Sequence, residues 1–386
     1  MPSTPLPMEV RKAGWISFWA DVASEMAYPV IPLFVVGALN APATTLGLIE
    51  GMALALISVM RAISGWHSDA TGKRMPYVRA GYALSAVAKP LMALAFSWPG
   101  VLASRLIDRF GKGLRTTARD ALIADSAEPG QEGRAFGFHR AMDSAGAVVG
   151  SLCGFLLLTL LPGQYRLIFL ITAVPGAVAV LIAYLLHEPR RHTPTKTLKR
   201  GSLTPQFWLA TAILGVFALA NSSDTFILLR ARDSGLSAPQ VALVYALFNV
   251  TYSAFSYSLG SLSDRIGKTP LLVSGWLLYA LVYFLMARAG AAWFWLLLPM
   301  YGLYMAATDG VSKALVGIIS PPDSRGSAMG VFYFISGALA LVSSLLAGWL
   351  WDSVDHAAPF YVGSGLAVLA ALLAAVAFPK LLPVRR

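Results

Sequence analysis

Residues 65–74 read GWHSDATGKR, and residues 260–268 read GSLSDRIGK. The two stretches share Gly, Asp, Gly and Lys at the same spacing, 195 residues apart. A second match, between GRAFG at 133–137 and GSAMG at 326–330, has an offset of 193 residues. Because two independent matches share nearly one offset, the sequence predicts two similar halves.

Long apolar runs lie between these loops. Of the 386 residues, 57% are hydrophobic and 13% are charged, against about 25% charged in an average soluble domain. A helix needs about 20 apolar residues to cross a bilayer, and the sequence offers twelve such segments. They lie near 14–38, 44–64, 76–97, 99–120, 135–161, 165–186, 206–230, 238–260, 270–289, 292–314, 326–350 and 358–379. This pattern predicts an all-α multi-pass membrane protein with six spans in each half.

The longest polar stretch divides the chain near its middle. It runs from His187 to Leu203 and carries five basic side chains, whereas most other connections are very short. We therefore expect an N-terminal six-helix bundle at 1–186, a linker loop at 187–203 and a C-terminal six-helix bundle at 204–386.

Basic residues give the chain a net charge of +11, and they follow the even-numbered spans and occupy the two ends. The positive-inside rule then places both termini and the central loop in the cytoplasm, with the spans in the cell membrane. Asp21 and Glu25 would interrupt the apolar core of a signal peptide, so the first span is expected to stay in place. No dense basic face indicates a nucleic-acid partner.

Several activities lack the residues that would carry them. The sequence contains no Gly-x4-Gly-Lys-[Ser/Thr] loop for ATP, no His-Glu-x-x-His pair and no Gly-x-Ser-x-Gly elbow. The single cysteine, Cys153, excludes an intramolecular disulfide and a multi-cysteine metal site. We therefore expect neither an enzyme nor a bound cofactor or metal.

The repeated loops resemble a known signature. The stretch 65–74 is similar to G-x-x-x-D-x-x-G-[RK]-[RK], which the major facilitator superfamily carries between spans two and three and often repeats between spans eight and nine. The resemblance extends along the whole chain. It implies two six-helix bundles with a substrate site near the bilayer midplane between them.

Three further stretches resemble motifs of bacterial twelve-span proton-coupled permeases and drug antiporters. PVIP at 29–32 is similar to an antiporter motif in span one, and RFGKG at 109–113 matches the span-four pattern in part. Gly146, Gly150 and Gly154 have the spacing of the span-five motif, but its Gly-Pro pair is absent.

The resemblance assigns conformational control to the two loops. Glycine permits a tight turn, and an Asp at a helix end can cap free N–H groups or pair with an Arg, which would hold the cytoplasmic side shut. The alternative is that both loops are polar turns with inside-positive charge. The residues concerned are Gly65, Asp69, Gly72, Lys73 and Arg74 in the first copy and Gly260, Asp264, Arg265, Gly267 and Lys268 in the second.

Charged residues within the spans are the candidates for proton coupling or substrate binding. A charge at the bilayer centre costs about 2.5–3.5 kcal/mol on insertion scales, so such side chains need partners or water. By this criterion the candidates are Asp21, Glu25, Arg109, Asp108, Asp143, Asp224 and Asp309.

Asp21 and Glu25 lie one helical turn apart on one face of span one. Burial favours the protonated form of a carboxyl group, which would let them load and release a proton near neutral pH. The alternative is a structural ion pair with Arg105 or Arg109 of span four.

For three other charged or titratable side chains we predict a nearby partner or exposure to solvent. Asp108 is expected to be the charge partner of Arg109, and Asp309 is expected to pair with Lys313 because the two are four residues apart. His139, near the start of span five, is expected to face solvent.

These observations favour a monomeric secondary transporter of a small solute, driven by protons, with export favoured over import. The first alternative is uptake of an anionic nutrient or metal chelate, which the basic stripe of span four suggests. The second is a membrane receptor or assembly factor that keeps the fold without moving a solute.

Overall fold

The computed structural model describes residues 5–127, 131–188, 203–320 and 325–381, and within these ranges the regular structure is helical, with no strand. The twelve predicted spans each overlap one helical segment, so the predicted all-α fold is confirmed. The segments are α1 Met8–Ala38, α2 Ala43–Thr71, α3 Met75–Leu91, α4 Trp98–Ser126, α5 Glu132–Leu160, α6 Tyr165–Tyr184, α7 Pro205–Asp233, α8 Ala238–Ile266, α9 Lys268–Met286, α10 Ala291–Ile319, α11 Arg325–Ser353 and α12 Ala358–Leu381.

Nine of the helices in the described ranges are long and apolar enough to cross a membrane by length and composition alone. The other three are α3, α4 and α8. In α4 the reason is charge, because Arg105, Asp108, Arg109, Lys112 and Arg115 all fall in its middle. A helix of this composition depends on protein partners within the bilayer.

The helix pairings repeat between the two halves. In the first half, α1 packs against α5 and α6, and α3 packs against α4 and α6. In the second half, α7 packs against α11 and α12, and α9 packs against α10 and α12. Each pairing of the second half is one of the first half shifted by six helices, which is the pseudo-symmetry that the repeated loops predict.

Two helices are interrupted at equivalent places. In α1 the regular helix ends at Ala27, and a π turn follows at Leu33–Ala38. Pro29 and Pro32 have no N–H to donate within the helix. In α7 the helix ends at Ala220 and a new helix begins at Thr225. This break lies about 195 residues after the break in α1. Discontinuous spans of this kind often line transport sites.

By compactness the chain divides into two units. The first comprises Met1–Asn40, Leu56–Lys196 and Ala238–Ala246, and the second comprises Ala41–Ala55, Thr197–Ser237 and Leu247–Arg386. Most of the predicted linker, residues 189–202, lies outside the described residues. The bundle boundaries at 187 and 203 therefore stay a prediction.

Glycines set the contact between α1 and α5. A Cβ atom on Gly150 would lie 2.7 Å from the carbonyl oxygen of Val22, and one on Gly154 would lie 3.0 Å from that of Met26. Gly146 lies in the same way against Phe18. The row of small residues therefore lets two backbones approach each other closely, and this holds the acidic face of α1 beside α5.

Candidate functional site

Two carboxyl groups meet where α1 contacts α5. The carboxyl groups of Asp21 and Asp143 lie beside each other, close enough for a hydrogen bond between them. An ionised carboxylate can only accept hydrogen bonds, so a bond between two carboxyl groups requires a proton on one of them. The pair can therefore hold one shared proton.

Glu25 lies one turn further along α1 and has a different partner. Its Oε2 accepts a hydrogen bond of 2.7 Å from the hydroxyl of Tyr245 on α8. Tyr245 also stacks on Tyr28, with ring centroids 5.3 Å apart. Sequence reasoning missed Tyr245, because nothing in the pattern of α8 distinguishes this tyrosine from its neighbours.

Cations of α4 and α5 adjoin this group, and Nη1 of Arg140 on α5 lies 3.4 Å from Oδ2 of Asp143. Lys112 attracts Asp21, Glu25 and Asp143 electrostatically, and Arg109 attracts Glu25. We call Asp21, Glu25, Asp143, Arg109 and Lys112 the acid–base cluster. Asp21 thus lies beside Asp143, and Glu25 accepts a hydrogen bond from Tyr245 while Arg109 attracts it.

Asp108 is the centre of a second charged group. Its Oδ1 lies 2.9 Å from Nζ of Lys89, and its Oδ2 lies 3.5 Å from Nη1 of Arg105 and 3.9 Å from Nε of Arg109. The side chains of Lys89 and Asp108 are 5% and 4% exposed. Arg109 is thus a weaker partner than expected, and Lys89, for which the sequence suggested no role, is the strongest.

A buried histidine links three helices near the other end of α4. Ser17 of α1 lies 2.8 Å from Nε2 of His139 on α5 and accepts a hydrogen bond of 3.1 Å from Arg119 on α4. His139 is only 6% exposed. The expectation of a solvent-facing histidine is therefore wrong, because α1 and α4 cover this side of α5.

The second half brings tyrosines together where the first half has charges. Asp224, at the break in α7, accepts a hydrogen bond of 2.6 Å from the hydroxyl of Tyr301 on α10. Tyr279, Tyr283 and Tyr304 pack around Tyr301, and all four rings are buried. The carboxylate in this position therefore accepts a hydrogen bond from a phenol hydroxyl.

Asp309 lies further along α10. Its Oδ1 is 2.7 Å from Nζ of Lys313, so the pair predicted from their spacing is confirmed. Tyr252 of α8 adds a hydrogen bond of 3.3 Å to Asp309. The side chains of Asp309 and Lys313 are 38% and 44% exposed, unlike the buried pair of Lys89 on α3 and Asp108 on α4.

The first signature loop is closely packed. Gly72 has a φ of 65°, which an L side chain rarely adopts. Gly65 lies against Thr117 of α4, since a Cβ atom added to Gly65 would lie 2.8 Å from the Cγ2 atom of Thr117. Arg74 is buried, donates to Ser68 at 3.1 Å and lies 3.7 Å from Asp125. The side chain of Asp69 lies outside the described residues, and Lys73 is exposed.

The second signature loop shares the turn but not the packing. Gly267 has a φ of 95°, equivalent to that of Gly72. Nothing lies within 4 Å of a Cβ added to Gly260, and Arg265 is exposed. Asp264 accepts a hydrogen bond of 3.1 Å from Lys268 of the same loop. In this copy the aspartate is therefore paired locally.

No group of three or more His, Cys, Asp or Glu side chains in the described ranges could hold a metal ion. The acid–base cluster is instead a set of groups that can exchange protons and bind charged groups by hydrogen bonds.

Comparison with known proteins gives matches along the whole chain. The family model described as Major Facilitator Superfamily matches residues 14–231 and 214–386. An uncharacterised MFS-type transporter of Methanocaldococcus jannaschii is 33% identical over 382 residues, which is 95% of this chain and 94% of that protein. Multidrug resistance protein MdtH of Proteus mirabilis is 33% identical over 121 residues, 31% of this chain and 30% of that protein.

Solved structures share the architecture. A crystal structure of a variant of the nucleoside transporter NupG has a TM-score of 0.79 and 14% sequence identity, and the alignment covers 96% of this chain and all of that one. At this identity the likeness concerns the fold alone.

Proposed function

This chain belongs to the Major Facilitator Superfamily, as its repeated loops predicted, and we propose that it moves a small solute across the membrane by proton-coupled alternating access. The observation that carries the proposal is the approach of the Asp21 and Asp143 carboxyl groups beside Lys112, with Nη1 of Arg140 3.4 Å from Asp143. Transport driven by protons needs a group that changes charge during the cycle, and a carboxyl pair that shares one proton is such a group.

The coupling follows from the electrostatics of the acid–base cluster. With a proton between them, Asp21 and Asp143 carry one negative charge, which Lys112 of α4 and Arg140 of α5 stabilise. When that proton leaves, two like charges stand side by side, and their repulsion is relieved by separating α1 from α5 or by admitting water. Protonation therefore acts as a ligand that prefers one conformation of this contact.

The direction of transport and the class of solute have two candidates. Export is supported by the partial similarity to multidrug resistance protein MdtH. Uptake of an anionic solute is the second candidate, supported by Arg109 and Lys112, which offer cationic groups beside the carboxyl pair. In both cases the protein acts as a monomer in the cell membrane with both termini in the cytoplasm, and the signature loops control its conformation.

The test begins with a cargo. A thermal-shift screen of purified protein against metabolites and drugs, at pH 5.5 and pH 7.5, selects a solute that stabilises the folded state by binding it. Flux of that solute is then measured in proteoliposomes with an imposed pH gradient. Asp21→Asn and Asp143→Asn are expected to abolish pH-driven flux, because neither variant can form the shared-proton pair.

Counterflow, which needs no proton gradient, is expected to continue in both variants. Asp355→Asn, at an exposed turn, serves as the control and should transport as the parent does. Unchanged pH-driven flux in both variants would refute the assignment of the proton site. If no solute moves in any assay although it binds, the third possibility, a receptor with this fold, replaces the proposal.

A further inference from the structure

Arg115 of α4 is a buried cation that the proposed transport cycle does not use. Arg115 is 3% exposed, and its guanidinium lies over the ring of Tyr82 on α3, 4.1 Å from the ring centroid. Among the described residues, none accepts a hydrogen bond from its Nε or Nη1. The hydroxyl of Tyr82, which is 2% exposed, also has no hydrogen-bond partner there.

The surroundings of Arg115 are cationic rather than acidic. Lys89 and Lys112 both repel its charge, and Arg119 lies within electrostatic range of Tyr82. The carboxylate of Asp108 is engaged by Lys89, Arg105 and Arg109. A buried charge without a counter-ion is costly, and a buried donor without an acceptor adds to that cost.

We propose that Arg115 and Tyr82 form a binding site for a small inorganic anion of the size of chloride. A halide ion accepts hydrogen bonds from any direction, so one N–H edge of the Arg115 guanidinium and the hydroxyl of Tyr82 can both donate to it. It also reduces the repulsion between Arg115 and the two lysines. This site is distinct from proton coupling and from the cargo.

The packing limits the size of the ligand. Gly81 of α3 lies against the backbone and Cβ of Arg115. A Cβ atom added to Gly81 would lie 2.6 Å from the Cβ atom of Arg115. Tyr82 itself belongs to an apolar cluster with Ile16, Val78 and Ala118. Because Arg115 and Tyr82 are only 3% and 2% exposed in this close contact of α3 with α4, we infer a monatomic anion rather than a carboxylate of a metabolite or a lipid phosphate.

Thermal unfolding of the full-length protein in detergent tests the proposal. Sodium chloride replaces sodium gluconate at constant ionic strength, so that only the identity of the anion changes. The parent is expected to gain about 2–4 °C in its unfolding temperature as chloride saturates the site. Arg115→Gln is expected to lose this chloride response.

Arg79→Gln is the matched control. Arg79 also lies over a tyrosine, 5.4 Å from the ring centroid of Tyr184, but its Nη2 donates to the backbone carbonyls of Tyr184 and Leu186. This variant should keep the full response to chloride. An equal response of the parent and Arg115→Gln, or no response in the parent, would overturn the proposal in favour of a bound water.

Two measurements remain informative if Arg115→Gln does not fold. Tyr82→Phe keeps the ring and removes one donor, so the chloride concentration at half-response should rise about 5–10-fold. Crystals grown in sodium bromide should give an anomalous peak within hydrogen-bonding distance of Arg115 and Tyr82. A bromide data set with no peak at this position would refute the site directly.

Discussion

The two halves use the same helix pairing with different chemistry. In the first half, α3 and α4 are joined by the ion pair of Lys89 and Asp108. At the equivalent positions of the second half, 193–194 residues later, Tyr283 of α9 stacks on Tyr301 of α10, with ring centroids 6.1 Å apart. The pairing of the helices is thus independent of the groups that fill the contact.

The contact of α1 with α5 and the equivalent contact of α7 with α11 also pair the same helices through different chemical groups. Gly150 lies against the carbonyl of Val22, whereas Ser343, its counterpart on α11, donates a hydrogen bond of 2.8 Å to the carbonyl of Leu219 on α7. Since aromatic packing and hydroxyl groups suffice to hold the second half together, the fold alone does not demand the buried charges of the first. Their cost in the bilayer is consistent with a role in transport.

The largest effect is expected from breaking the ion pair that distinguishes the halves. Asp108→Asn leaves Lys89, Arg105 and Arg109 without their shared carboxylate, and we expect it to lower the free energy of unfolding by about 3–5 kcal/mol. Lys89→Met should cost less, because Asp108 keeps its two arginines. Unfolding of the purified variants in mixed micelles measures both, and equal small losses would show that water already solvates Asp108.

An intermediate effect is expected at the glycine contact. Gly150→Leu would force α5 away from the backbone of α1, and we expect a loss of about 1–3 kcal/mol in the free energy of unfolding. Gly365→Ala is the control, since nothing lies within 4 Å of its added Cβ. If both substitutions have the same effect, the close approach of the two backbones does not contribute to stability.

The smallest effect is expected at the exposed pair of the second half. Lys313→Gln removes the partner of Asp309 where both side chains are more than a third exposed, so the free energy of unfolding should change by less than about 0.5 kcal/mol. The same unfolding assay compares it with Lys89→Met. A loss as large as that of Lys89→Met would mean that lipid or protein, not water, surrounds Lys313.

Much of the fold was predictable because the signals are local. Hydrophobic length gives twelve spans, and the repeated loops give the pseudo-symmetry, with a positive φ at both Gly72 and Gly267. The pair of Asp309 and Lys313 was predictable too, because a spacing of four residues places two side chains together on any helix.

Sequence by itself therefore determined the number of helices, their repeat and the contacts within each helix. Tertiary structure alone decided that Asp21 meets Asp143, that Lys89 holds Asp108 and that His139 is buried against Ser17. The physical reason is that each of these contacts joins different helices, and the spacing of residues along one helix carries no information about which face of a neighbour it meets.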